Sequence, residues 1–91
     1  MAKQMSLAAK LDTAAAAGLR SQLEGASDES IVFDAGQVEQ LGTLCLELLM
    51  SAVVLWRNAG QSITFENISK QMTDDLGRVG LTPDALQEYA A

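Results

Sequence analysis

Three consecutive pieces decide the fold: IVFDAG at residues 31–36, QLGTLCLELLMSAVVLWRNAG at 40–60, and SITFENIS at 62–69. Ile31, Val32 and Phe33 run together in the manner of a strand covered on both faces, and Ile63 and Phe65 alternate with polar neighbours as a strand does. Between them the apolar run is too long for a strand and predicts a helix closed by the Asn58-Ala59-Gly60 signal. The order is that of a β-loop-α-β unit with a right-handed crossover, and Thr43 stands at its loop-to-helix junction. Such a junction displays a hydroxyl beside unpaired backbone N–H groups. It suits a regulatory contact or a phosphoacceptor better than a metabolic active site.

Placed on a helical wheel of about 100° per residue with Thr43 as zero, the central helix divides into two arcs. Cys45, Leu48, Leu49, Ala52, Leu55 and Trp56 cluster on the far, core-facing side. Thr43, Glu47, Ser51, Arg57 and Asn58 share the near side. Leu46, Met50 and Val54, spaced four apart, fall within or beside the polar arc. They read either as residues covered by another element of the fold or as an exposed stripe that a partner helix or a second copy of the chain covers, and the second reading is favoured for a helix lying on one sheet face. Met50 fits an adaptable contact surface.

Outward from this centre the chain is less strongly patterned. Gln4 to Ala9 form a weak candidate strand. Asp12 or Thr13 caps a first helix over residues 13–24, with Ala16, Leu19 and Leu23 as its apolar face and Gly25 as its stop. Ser69 caps a further helix whose stripe is Met72, Leu76 and Val79, with Asp74 and Asp75 on the solvent side and Gly80 at the end. Thr82-Pro83 opens a short terminal helix. No repeat or low-complexity segment is present, and the expectation is one α/β domain over residues 1–91, a small mixed β-sheet covered by helices.

Composition narrows the function. The 91 residues carry a net charge of −6, and an acidic surface repels the phosphates of nucleic acids and anionic membranes. There is no His, which removes the commonest general base and metal ligand and every Ser/His or Cys/His pair. Neither a catalytic set, a cofactor site nor a metal site is expected. The lone Cys45 has no disulfide partner and, falling on the core arc, reads as packing. With no recognisable signal peptide and no apolar run near the ~20 residues of a membrane span, the expected location is the cytoplasm, without membrane insertion. Gly77-Arg78-Val79-Gly80 lacks the preceding strand and the Lys-Ser/Thr ending of a phosphate loop and reads as a helix end.

The opening LDTAAAAGLRSQL, the central IVFDAGQVEQLGTLCLELL and the closing ITFENISKQMTDDLGRVGL together resemble the STAS domain of anti-sigma-factor antagonists, over roughly residues 8–81. In that family the strand-loop-helix junction usually reads Asp-Ser or Asp-Thr, a small residue, then Gly, and a partner kinase phosphorylates the hydroxyl. The resemblance implies that Thr43 is the phosphoacceptor position. Gly42 stands where the family has Asp, and Cys45 where it has Gly; these departures bear on phosphorylation rather than on docking. Asp34 matches an acidic position beside the same loop. Family relatives include partner-switching regulators, small proteins found with chemotaxis kinases, and accessory subunits of lipid-transporting ABC systems, and the Leu-Gly-Thr version looks most like divergent bacterial members of chemosensory or two-component systems.

From residues and resemblance together, the expected partner-binding set is Asp34, Gln37, Glu39, Gln40, Gly42, Thr43, Leu46, Glu47, Met50 and Val54. Thr43 also has a purely structural reading as a helix N-cap. The expected partner is a kinase-type regulatory protein, with a homodimer as a further possibility and a constitutive subunit of a lipid transporter as the alternative function.

Overall fold

The structure is a computed structural model that describes residues 3–25 and 28–87. Strands β1 (Lys3–Ser6), β3 (Ile31–Asp34) and β5 (Ile63–Glu66) form a sheet in the order β1-β3-β5, while β2 (Lys10–Leu11) pairs separately with β4 (Gln40–Leu41). The helices are α1 (Ala16–Gly25), α2 (Thr43–Asn58), α3 (Lys70–Arg78) and α4 (Pro83–Gln87). The α/β class expected from the sequence is the observed one. Every pairing among the described strands is parallel, where the sequence suggests a mixed sheet.

Register explains which face is covered. Met5, Phe33 and Phe65 lie side by side across the sheet, and Lys3, Ile31 and Ile63 form the next row on the same face. Ile31, Phe33, Ile63 and Phe65 are buried, and the two phenyl rings stack with centroids 5.8 Å apart. Ala16, Leu19 and Leu23 of α1, Leu49 and Trp56 of α2, and Met72 and Leu76 of α3 join them in one apolar cluster. The opposite row, Gln4, Val32 and Thr64, meets solvent on its outer side, with Val32 half-buried. The expectation of a strand covered on both faces is therefore corrected, because the helical residues of the core all belong to the cluster on one side.

The helix ends follow local chemistry. Asp12 Oδ1 accepts the N–H of Ala15 at 3.0 Å, starting a short 3-10 turn (Thr13–Ala15) that leads into α1. Ser69 Oγ accepts the N–H of Met72 at 3.0 Å, and Thr82 Oγ1 accepts that of Ala85 at 3.1 Å. Helix α2 stops at Gly60, whose φ of 77° only a residue without a Cβ adopts freely; Gln61 N–H then returns to the Trp56 carbonyl at 2.8 Å. Trp56 Nε1–H donates to the Glu29 carbonyl at 2.7 Å, tying the end of α2 to the chain entering β3.

Two faces differ from the wheel. On α2, Leu46 and Val53 are buried and Leu55 is 62% exposed, so the buried arc is rotated by roughly 50° from the one expected. Thr43 misled as a reference because it is the first residue of the helix, where exposure reflects the helix end rather than its outer face. On α3, Met72 and Leu76 are buried as expected, but Val79 is exposed and Asp75 is buried. Asp74 does lie outward, paired with Lys70.

Candidate docking surface at the head of the central helix

The segment from β3 to α2 is built almost wholly by hydrogen bonds to its flanks. Asp34, exposed at the end of β3, turns its Oδ1 back to accept the N–H of Gly36 at 2.9 Å. The Ala35 N–H donates to the Glu66 carbonyl, and the Ala35 carbonyl accepts the N–H of Ser69. Gln37 Nε2 reaches the Leu7 carbonyl at 3.3 Å. Val38 is buried, while Glu39 and Gln40 project outward with their N–H groups both on the Ala9 carbonyl. Acidic and amide side chains are thus left facing solvent while the backbone beneath them is satisfied.

At the junction itself, Gly42 and not Thr43 occupies the N-cap position, and it brings no side-chain cap. Its N–H donates to the Leu11 carbonyl at 2.7 Å, and its carbonyl accepts the Leu46 N–H at 3.0 Å as the first bond of the helix. The alternative structural reading of Thr43 as the helix N-cap is corrected, for Thr43 is already the first residue of the first turn. Thr43 is exposed, and its hydroxyl makes no hydrogen bond within the described residues.

One turn further, Glu47 is exposed on the outward arc. Of the three expected stripe residues, Leu46 is 6% exposed and belongs to the core, which removes it from the surface; Met50 and Val54 are half-buried. Met50, Val54, Glu47, Ser51 and Leu55 line a shallow depression on the flank of α2. The exposed large apolar residues of α2 are instead Leu44, at 43% exposure, and Leu55, with the half-buried Leu48 on the same line. On its other flank a groove of about 330 Å³ between α1 and α2 is lined by Leu23, Leu48, Ala52, Leu55 and Trp56, with the exposed Arg20–Glu24 ion pair at its rim. The sequence carried a usable signal for this line, since Leu44, Leu48 and Leu55 lie within about 40° of one another on a helix; assigning Leu48 and Leu55 to the core-facing arc concealed it.

Cys45 sits behind the junction. Its Sγ–H donates to the Asp12 carbonyl at 3.4 Å, and burial, with the Asp12 carboxylate as the lesser cause, pushes the thiol up from its ordinary value. Its full burial places it among the packing residues of the core. Among the described residues no group of three or more His, Cys, Asp and Glu is arranged to hold a metal ion, and no helix is long and apolar enough to cross a membrane.

A parallel sheet covered on one side, with an exposed hydroxyl where its central strand passes through a loop into the longest helix, defines an α/β module that offers a surface for contact. The family model described as the Mlab STAS domain matches residues 2–87, and the chain belongs to the STAS domain family. No curated protein and no solved structure matches it. STAS domains mediate protein–protein interactions and are generally non-catalytic.

Proposed function

We propose that this chain is a single-domain regulatory binding module without catalysis of its own, which docks a kinase-type partner through the loop from Gln37 to Thr43 and the outward arc of α2. The observation that carries this reading is the state of Thr43: exposed, with a hydroxyl that makes no hydrogen bond among the described residues, next to the exposed Leu44 and one turn from Glu47. Apolar contact with Leu44, Leu48 and Leu55 supplies the hydrophobic centre of such an interface, and Asp34, Glu39, Gln40 and Glu47 supply its polar rim. Phosphorylation of Thr43 would place about two negative charges at the positive end of α2, which leaves the helix intact and changes the docking surface by charge.

The test is a pull-down with wild type and Thr43→Glu, combined with mass spectrometry of Thr43 after incubation with the captured kinase and ATP. Loss of the partner with the Glu variant, together with phosphate on Thr43, is the expected result. Equal capture by both forms removes the switch.

A second reading is a constitutive accessory subunit of a lipid-transporting ABC system. Gly42 in place of the family Asp favours it, since that departure falls on the phosphorylation motif, and the groove beside Leu55 suits a permanent apolar interface. Such a subunit would co-purify with its assembly in stoichiometric amount, and Thr43→Glu would leave it in place.

A further inference from the structure

Strand β4 is two residues long, and its amides point to two different neighbours. The N–H groups of Gln40 and Gly42 donate to the carbonyls of Ala9 and Leu11, at 3.1 and 2.7 Å. Between them, the N–H of Leu41 faces away from β2, as alternate amides of a strand do. None of the described strands receives it. The acceptor is Asp75 Oδ2 at 2.8 Å, on a side chain of α3 that is itself buried. The other carboxylate oxygen is held within α3, by Arg78 Nη1 at 3.0 Å and Gln71 Nε2 at 3.0 Å. Ser69 adds a second link, donating its hydroxyl to the Val38 carbonyl at 2.7 Å. The segment that presents Thr43 is therefore pinned between the β1–β2 backbone on one side and two side chains on the other, Asp75 of α3 and Ser69 at its N-cap.

We infer that Asp75 is a positioning residue for the docking segment, and that α3 is a second place from which presentation of Thr43 is controlled. Leu41 precedes Thr43 by two residues, and the residue between them has no side chain with which to hold itself. Whatever displaces the Asp75 carboxylate releases the free edge of β4 and with it the start of α2. Arg78 and Gln71 are exposed, so a contact made on the outer side of α3 competes directly for that carboxylate. The functional half of this inference rests on the docking reading above; the positional half does not.

Amide hydrogen exchange followed by NMR on the whole chain tests the positional half. Asp75→Ala is expected to speed exchange at Leu41 and at Gly42, whose N–H is held on the Leu11 carbonyl, at least tenfold, with Ile31 and Ile63 changed less than twofold. Asp75→Asn, whose amide oxygen still accepts the Leu41 N–H, is expected to stay within threefold of wild type. A rise spread evenly over the sheet, or equal behaviour of the Ala and Asn variants, overturns it. Should Asp75→Ala fail to fold, Arg78→Gln, which removes one hold on the carboxylate, is expected to raise exchange at Leu41 about threefold, and no change there has the same overturning force. The regulatory half is read on the partner captured by wild type, whose binding should weaken at least fivefold with Asp75→Ala and recover with Asp75→Asn; unaltered binding refutes it. If wild type captures no partner sensitive to Thr43→Glu, it is the docking reading that has fallen, while the exchange comparison still judges the role of Asp75.

Discussion

The N–H of Gly42 donates to the carbonyl of Leu11 at 2.7 Å, and a Cβ built on Gly42 would lie 3.0 Å from that same oxygen. The contact is with backbone on both sides, so neither partner moves aside as a flexible side chain would. It joins β2 to the head of α2, and it bears on the position where the family carries Asp. Gly42→Ala is expected to destabilise the fold by about 1 kcal/mol, since it adds the close contact and supplies no cap. Gly42→Asp adds the same contact and a carboxylate able to accept the unpaired N–H groups of the first turn, which offsets about 1 kcal/mol. Urea denaturation of the two variants should therefore place Asp above Ala; the reverse order contradicts the cap assignment.

Leu46 and Leu55 provide a direct test of how α2 is rotated. Leu46→Ala is expected to cost about 2–4 kcal/mol through lost burial and the cavity left behind. Leu55→Ala should stay within about 0.5 kcal/mol of wild type, because its side chain is mostly in solvent. Comparable costs for both would return the helix to the orientation that the polar residues alone suggest.

The docking surface is separable from stability at Thr43. At the first position of a helix, Thr43→Glu sets a carboxylate against the positive end of the dipole and should be neutral or stabilising by about 0.3–1 kcal/mol. A thermal melt that shows the Glu variant unchanged or higher would assign any loss of partner binding to charge at the interface rather than to unfolding. A melt lowered by several degrees would mean that Thr43 holds the fold together.

Cys45 predicts a pH dependence. Burial raises its thiol pKa in the folded chain, so the native state holds this proton more tightly than the unfolded state does. Its contribution to stability is present below the ordinary thiol value and declines as pH rises through that value toward the raised one. The difference in stability between wild type and Cys45→Ala should shift in favour of the variant over that window. The same burial predicts that a thiol reagent modifies Cys45 slowly in the native protein and rapidly in urea, which a colorimetric assay would follow.

Ser69 carries two bonds at once, accepting the Met72 N–H and donating to the Val38 carbonyl. Ser69→Ala removes a helix cap and leaves a part-buried carbonyl without its donor, for a combined cost of about 1–3 kcal/mol. Ser69→Asp keeps the cap and loses the donor. Chemical denaturation should place Asp between wild type and Ala, and an Asp variant as unstable as Ala would show that the Val38 link is the larger share.

Local signals were sufficient wherever the physics is local. Asp12, Ser69 and Thr82 cap helices, and Gly60 and Gly80 end them, because capping and left-handed backbone depend on a few neighbouring residues. The three long strands and the exposed Thr43 were legible for the same reason: alternation and turn residues act over a handful of positions. Asp75 was not legible. Adjacent to Asp74 on a polar helix it reads as solvated, and only the arrival of β4, 34 residues earlier in the chain, surrounds it with an amide donor.

By itself, the sequence determined the order of the helices and of the longer strands, the caps and glycines that bound the helices, and the absence of histidine chemistry, all of which follow from residue type and short-range spacing; the two-residue strands β2 and β4 left no such signal. Tertiary structure alone decided that β1 joins β3 and β2 joins β4 in parallel, that one face of the sheet is left uncovered by the described residues, that Leu46 turns inward and Leu55 outward, and that Asp75 secures Leu41. Rotation of a helix about its axis is set by what packs against it, and a buried carboxylate by what reaches it from elsewhere in the chain. Neither leaves a mark on the residues next door.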